Sequence, residues 1–197
     1  MSRHVANDEG SLSLADAEAL LSEINRLTAQ VASLEESIGE LQELANSDPL
    51  VNLPNRRRFL ADVQRMIGRV ERYGASAAVL FVDVDGLKGI NDKFGHSAGD
   101  EALVEIGQLL VASVRKSDSV ARIGGDEFGI ILEHSDELRA WQMALRVVET
   151  VVGSEFCVDG KCLQLSVAVG VGKIEPGDTP EAVLARADKE MYRVKAA

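Results

Sequence analysis

Three acidic clusters in this sequence could carry chemistry. Asp83 and Asp85 close an apolar run that begins at Ala77 (AAVLFVDVD). A buried strand ending in carboxylates presents them at the edge of a sheet, where a ligand can reach them. Gly124-Gly125-Asp126-Glu127 lies between two short apolar runs and reads as a tight turn. Its paired glycines permit φ > 0 and carry no Cβ, so another molecule can approach the backbone closely. The third cluster, Asn91 to Asp100 (NDKFGHSAGD), reads as a loop. If the strand ending in Asp83 neighbours the hairpin carrying Asp126, their carboxylates come within several ångströms of each other. Like charges that close need a cation, and all-oxygen ligands select a hard one, Mg²⁺ or Mn²⁺, which retains waters and bridges substrate phosphates. The residues therefore fit a metal-dependent reaction on a phosphorylated substrate. Acid-rich turns are usually solvated and inert, and a Gly-Gly pair is weak evidence by itself, so the elements that place these residues decide the matter.

Those elements follow from periodicity and punctuation. A helix is expected from about Asn55 to Tyr73, then a buried strand over Ala77–Asp83. A second helix spans roughly Ser97 to Val114, and two strands, near Ser119–Ile123 and Phe128–Leu132, flank the Gly-Gly-Asp-Glu turn. A helix near Asp136–Val152 precedes a hairpin centred on Asp159-Gly160, with Leu163–Val171 as its apolar second strand. The last helix runs from about Thr179 to Lys195, with Pro180 in its first turn. Helices alternating with strands, and a hairpin mid-sequence, predict an α/β (α+β) sandwich with a mostly antiparallel sheet of the split-βαβ kind.

The amino-terminal part has a different pattern. Residues 1–12 are polar and read as a flexible N-terminus. From Ser13, spaced with Asp16 as a capping box, a helix begins that must stop at Asp48-Pro49. Ile24, Val31 and Ile38 fall at heptad position a, and Leu20, Leu27, Leu34 and Leu41 at d. β-Branched a residues with leucine at d favour a parallel two-stranded coiled coil over 13–47, about 50 Å long. The division is then 1–12, 13–47 and a globular domain over 48–197.

Composition sets the outer limits. The net charge of −11 argues against a nucleic-acid polymer as partner, because such binders displace counterions with Lys and Arg. A nucleotide remains admissible, since a bound cation and a few local donors hold small phosphates whatever the overall sign. No apolar run is long enough to cross a bilayer and no secretory pattern opens the chain, so a cytoplasmic protein with no membrane contact is the default expectation. If Asp159-Gly160 is a two-residue turn, Cys157 and Cys162 sit opposite each other. A disulfide is sterically possible there, but a reducing cytosol favours free thiols, and neither cysteine is assigned a role.

RIGGDEF (Arg122–Phe128) resembles the signature of the GGDEF family, the diguanylate cyclases. Four further stretches agree in order and spacing: DPLVNLPNRRRF at 48–59, FVDVDGLKGINDKFGHSAGDEAL at 81–103, LSVAVGV at 165–171 and ADKEMYRVK at 187–195. The resemblance covers about Asp48 to Lys195 and implies a nucleotide-cyclase-like fold that condenses two GTP into cyclic di-GMP and pyrophosphate. It implies that Asp83, the Val84 carbonyl, Asp126 and Glu127 hold Mg²⁺ (or Mn²⁺), two ions per active site, with Asp126 accepting the proton of the attacking 3′-OH. Asn91 and Asp100 resemble the pair that hydrogen-bonds the guanine edge, with His96 nearby, and Asp100 as an acceptor would repel adenine. Lys88 and Lys195 resemble phosphate-facing lysines, Lys88 being placed to stabilise transition-state charge.

One GTP per domain requires two domains face to face, which gives the coiled coil a purpose: a homodimer raises the effective concentration of its two halves. Arg115-Lys116-Ser117-Asp118, six positions before Gly124, resembles the family's R-x-x-D product-inhibition site, and Arg146 its second arginine. Leu87 stands where the family usually has phenylalanine, Val51-Asn52 replaces a common Thr-Gly, and a downstream phosphate-binding arginine does not occur within the 197 residues. The rivals are a receptor that only senses GTP or cyclic di-GMP and a dimeric scaffold. Activity abolished by Asp126→Ala in an intact dimer separates catalysis from scaffolding.

Overall fold

The computed structural model describes residues 14–195. The expected capping residue Ser13 and the polar segment 1–12 lie outside the described residues. The chain divides into two compact units, with the break between Ala45 and Asn46. Helix α1 (Leu14–Asn46) supplies the first. Its a and d residues are all exposed, from Leu27 at 45% to Leu41 at 65%. No described helix is long and apolar enough to cross a membrane.

The second unit is built around a four-stranded antiparallel sheet in the order β2-β3-β1-β6. Its strands are β1 (Ala77–Val84), β2 (Ser119–Arg122), β3 (Glu127–Glu133) and β6 (Val167–Lys173). β1 is central, pairing with β3 on one side and β6 on the other. Alternation along it sends Ala78, Leu80, Val82 and Val84 to one face and Ala77, Val79 and Phe81 to the other. On the first face these residues pack with Leu103, Ile106 and Leu110 of α4 (His96–Ser113) and Ala144 and Val147 of α5 (Glu137–Val152). On the second they meet Phe59, Val63 and Ile67 of α2 (Arg56–Tyr73) and Val183, Leu184 and Met191 of α6 (Pro180–Lys195). Covered on both faces, β1 is apolar without interruption until it reaches Asp83.

Local chemistry sets the helix ends. Asn55 caps α2 by accepting from Arg58 N, and Asp136 caps α5 by accepting from Arg139 N. Against α6, β6 carries Gly170 and Gly172. A Cβ on Gly172 would stand 2.7 Å from the Val183 carbonyl oxygen, and one on Gly170 would meet the Ala187 carbonyl oxygen and the Met191 nitrogen. The helix thus lies on the strand at backbone contact.

Three expectations are corrected. The segment Asn91–Asp100 is helical rather than a loop: α3 (Leu87–Phe94) and α4 are separated only by Gly95, at φ 86°. The apolar stretch from Leu163 to Val171 is two strands. β5 (Lys161–Leu163) pairs with β4 (Phe156–Val158) in a separate two-stranded sheet, and the chain breaks before β6 enters the main sheet. Cys157 and Cys162, directly opposite across the Asp159-Gly160 turn, are joined as a disulfide instead of standing as free thiols.

Candidate active site

The antiparallel register places the acidic clusters together. Asp83 is the register partner of Glu127 on β3, and the Val84 N–H donates to the Asp126 carbonyl at 2.9 Å. Asp85 leaves the strand and is held by Ser166, which accepts from the Asp85 N–H at 3.0 Å and donates its hydroxyl to the Asp85 carboxylate at 3.1 Å. The strand that ends in carboxylates and the hairpin that carries them are therefore neighbours in one sheet.

The hairpin turn is closed by hydrogen bonds from the Ile123 and Gly124 N–H groups to the Glu127 carbonyl, at 2.9 and 3.2 Å. Neither Gly124 nor Gly125 adopts the positive φ expected of the pair. Gly124 is needed because a Cβ there would collide with the Glu127 carboxylate, its Cδ 2.8 Å away, whereas Gly125 faces open space. Arg122 braces the turn, donating to the Gly125 carbonyl at 2.7 Å and pairing with Asp48 at 3.2 Å. Asp48 in turn accepts from the Leu50 and Val51 N–H groups.

Electrostatics concentrate at this edge. Burial pushes the Glu127 carboxyl above its usual range, the charges of Asp126 and Asp83 push the same way, and Arg56 opposes them while Asp188 adds to them. Lys195, at the end of α6, contacts Asp83 and reaches Asp85 at 3.0 Å. Desolvation lowers the affinity of that ammonium for its proton, but hydrogen bonds to Asp83 and Asp85 outweigh it and raise the Lys195 pKa. Among the described residues no three Asp, Glu, His or Cys side chains converge to hold an ion. The donor set nevertheless fits a hard cation: every candidate ligand is an oxygen, and the carboxylates already hold a cation in the form of the Lys195 ammonium.

α3 starts immediately beyond Asp85. Gly86 at its N-cap position, at φ 70°, provides no side-chain cap, so the N–H groups of the first turn are open to an anion. Lys88 is exposed on that turn. Asn91 lies further along α3, and His96 and Asp100 are exposed on the first turns of α4, across the corner at Gly95. The Asn91 side-chain oxygen is buried with no hydrogen-bond partner.

Arg115, Asp118 and Arg146 share a separate cleft of about 370 Å³, which Arg139 and His134 also line. The Asp118 carboxylate accepts from the backbone N–H groups of Arg115 and Glu133, at 3.1 and 3.2 Å, and Arg146 donates to the Ser113 carbonyl. Sequence reasoning missed Arg139, as well as the influence of Arg56 and Asp188 on Glu127. No spacing in the chain links those two to the turn, although Arg56 lies within the stretch 48–59 and Asp188 within 187–195, both already singled out.

Residues 45–197 match the family model described as diguanylate cyclase, GGDEF domain. The chain belongs to the GGDEF family. TpbB, a diguanylate cyclase of Pseudomonas aeruginosa, is 36% identical over 185 residues, 91% of this chain and 41% of TpbB. The chain thus spans about two fifths of that relative's length. Among solved structures, the diguanylate cyclase SiaD of Pseudomonas aeruginosa, in complex with its activator SiaC, superposes with a TM-score of 0.76 at 30% identity, covering 92% of this chain and 70% of SiaD. The coiled coil and GGDEF domain of DgcB from Caulobacter crescentus, in complex with c-di-GMP, has a TM-score of 0.83 at 24% identity, covering 90% of this chain and 95% of that solved chain, and shares the fold.

Proposed function

We propose that this GGDEF chain is a diguanylate cyclase that joins two GTP into cyclic di-GMP with release of two pyrophosphates. The observation that carries the reading is the pairing of Asp83 with Glu127 in adjacent strands, which sets Asp126 and the Val84 backbone at the same sheet edge. Asp83, the Val84 carbonyl, Asp126 and Glu127 would hold divalent ions, Mg²⁺ or Mn²⁺, two per site, which neutralise the triphosphate. The open first turn of α3 and Lys88 receive phosphate oxygens. Lys195 leaves its carboxylates to do the same. In each half-reaction the 3′-oxygen of one GTP attacks the α-phosphorus of the other, the bond to the β-phosphate breaks, and Asp126 takes the hydroxyl proton. Asn91 and Asp100 grip the guanine, with His96 at the rim of the same corner.

Each domain offers one guanine corner, so the reaction needs two domains, and α1 supplies the means. Its exposed a/d seam pairs with a second copy in a parallel coiled coil, making a homodimer of 13–47 helices that carries two cyclase domains over 48–197. The cleft of Arg115, Asp118 and Arg146 takes the product and restrains the enzyme, arginine being suited to bidentate contact with guanine O6 and N7. A GTP substrate places this work in the cytoplasm.

The test is incubation of the purified chain with GTP and Mg²⁺ and chromatography of the nucleotides, with ATP and Asp126→Ala as controls and light scattering for the dimer. Cyclic di-GMP from GTP alone, abolished in the variant, is the expected result. No product from a folded dimer refutes the reading.

A further inference from the structure

Gly99, buried on the first turn of α4, packs directly on Asn91 of α3. A methyl group built on Gly99 would fall on the Asn91 carboxamide: it meets the side-chain oxygen and stands 2.9 Å from Cγ and 3.3 Å from Nδ2. The space a side chain at 99 would fill is the space the Asn91 oxygen occupies. That oxygen is also buried and unpaired. The corner at Gly95 folds α3 back on α4 so closely that a Cβ beneath Asn91 would have to push its carboxamide aside. The orientation of the amide follows from its hydrogen-bonding groups. An inward oxygen leaves one acceptor unpaired, whereas an inward NH₂ would bury two unpaired donors.

We infer that Gly99 is a positioning residue for base selectivity, a role that rests on the guanine-binding reading of Asn91 and Asp100. By admitting the Asn91 oxygen inward, Gly99 turns the amide NH₂ outward as a donor next to the Asp100 acceptor. A donor beside a carboxylate matches the edge of guanine, with O6 taking the amide hydrogen and N1–H and N2–H₂ donating to Asp100. Adenine presents its N6–H₂ donor where guanine has O6, so donor meets donor. A side chain at 99 would displace the carboxamide and break the match without touching the nucleotide.

The experiment uses the full chain with Mg²⁺ and compares GTP with 6-thio-GTP, which keeps N1–H and N2–H₂ but puts a weak acceptor in place of O6. Gly99→Ala is expected to raise KM for GTP roughly ten- to hundredfold, as for a lost hydrogen bond with a group left unpaired. The effect on kcat should be smaller, and the wild-type preference for GTP over 6-thio-GTP should disappear. Equal losses on both substrates, or no loss on either, overturn the positioning role. If Gly99→Ala does not fold, as judged by its thermal melt, Asn91→Asp carries the test. It keeps the shape but turns an acceptor outward, so GTP should suffer at least tenfold more than 6-thio-GTP, and equal losses again overturn the inference. Asn91→Ala separates the two levels: an unchanged KM for GTP sinks the guanine-binding reading itself, whereas a raised KM beside a neutral Gly99→Ala sinks only the role of Gly99.

Discussion

Replacing Lys195 with methionine should tighten divalent-ion binding in the absence of nucleotide. The ammonium contacts Asp83 and lies 3.0 Å from Asp85, so an ion that takes Asp83 must first displace it from both carboxylates. At an effective dielectric of about 20, a charge pair at that separation attracts by about 5 kcal/mol before solvent and side-chain entropy are counted. Exposure decides how much survives. Asp83 is 22% exposed, which leaves its arm about 1 kcal/mol, whereas Asp85 is 40% exposed and its arm falls to a few tenths. The sum of about 1.4 kcal/mol corresponds to about a tenfold gain in affinity. Mn²⁺ titration followed by electron paramagnetic resonance or calorimetry, without nucleotide, reads it directly. Lys189→Met, which removes the same charge from the same helix, controls for the change in net charge. An affinity for Lys195→Met that equals or falls below that of the wild type, or a gain matched by Lys189→Met, would refute the argument that the ammonium occupies the cation position.

Other perturbations test other parts of the molecule. Arg115→Ala should raise the cyclic di-GMP concentration for half-inhibition at least tenfold, measured from initial rates at increasing product, and an unchanged value removes the cleft from regulation. Hydrogen bonding to Arg186 holds the Asp178 carboxyl below its usual range, so this contact stabilises the fold above the unfolded carboxyl pKa of about 4 and is lost as pH falls through the lower folded value. Asp178→Asn should therefore lower the melting temperature at pH 7, with the deficit closing below pH ~4, and a deficit that does not depend on pH contradicts the assignment. Reducing the Cys157–Cys162 disulfide, which closes a short loop, should cost roughly 2 kcal/mol in the chain-entropy account. A melt that reductant leaves unmoved, or that moves equally in the Cys157→Ser/Cys162→Ser protein, would show that the cross-link carries no stability.

What the sequence revealed depended on how local its cause was. The sheet edge was legible because an apolar run ending in Asp83 and a turn at Gly124-Gly125 are both local signals, and only one neighbour relation had to be supplied. The segment from Asn91 to Asp100 misled because two glycines in ten residues read as a loop. Only Gly95 breaks the helix there, while Gly99 lies inside α4, packed against Asn91. The break between β5 and β6 was hidden because Leu163 to Val171 is apolar enough to pass for one strand. What divides it is tertiary, for Ser166 is drawn to Asp85, just past the end of β1. The contact between Lys195 and Asp83 joins residues 112 positions apart and leaves no trace in local pattern. Motif order carried the family, and packing carried the rest.

Backbone contact between α6 and β6 also makes the helix a lever. Gly172 bears on Val183 near its start, and Gly170 bears on Ala187 and Met191 further along. From Val183 to Lys195 the helix runs about 18 Å, and from Val183 to Ala187 about 6 Å. A methyl group at Gly170 that lifted the helix about 1 Å at Ala187 would, with Val183 as fulcrum, swing the Lys195 end by about 3 Å. Two glycines on the outer strand β6 therefore set the aim of an ammonium group beside the carboxylates, and their tolerance to change is fixed by where that group has to land.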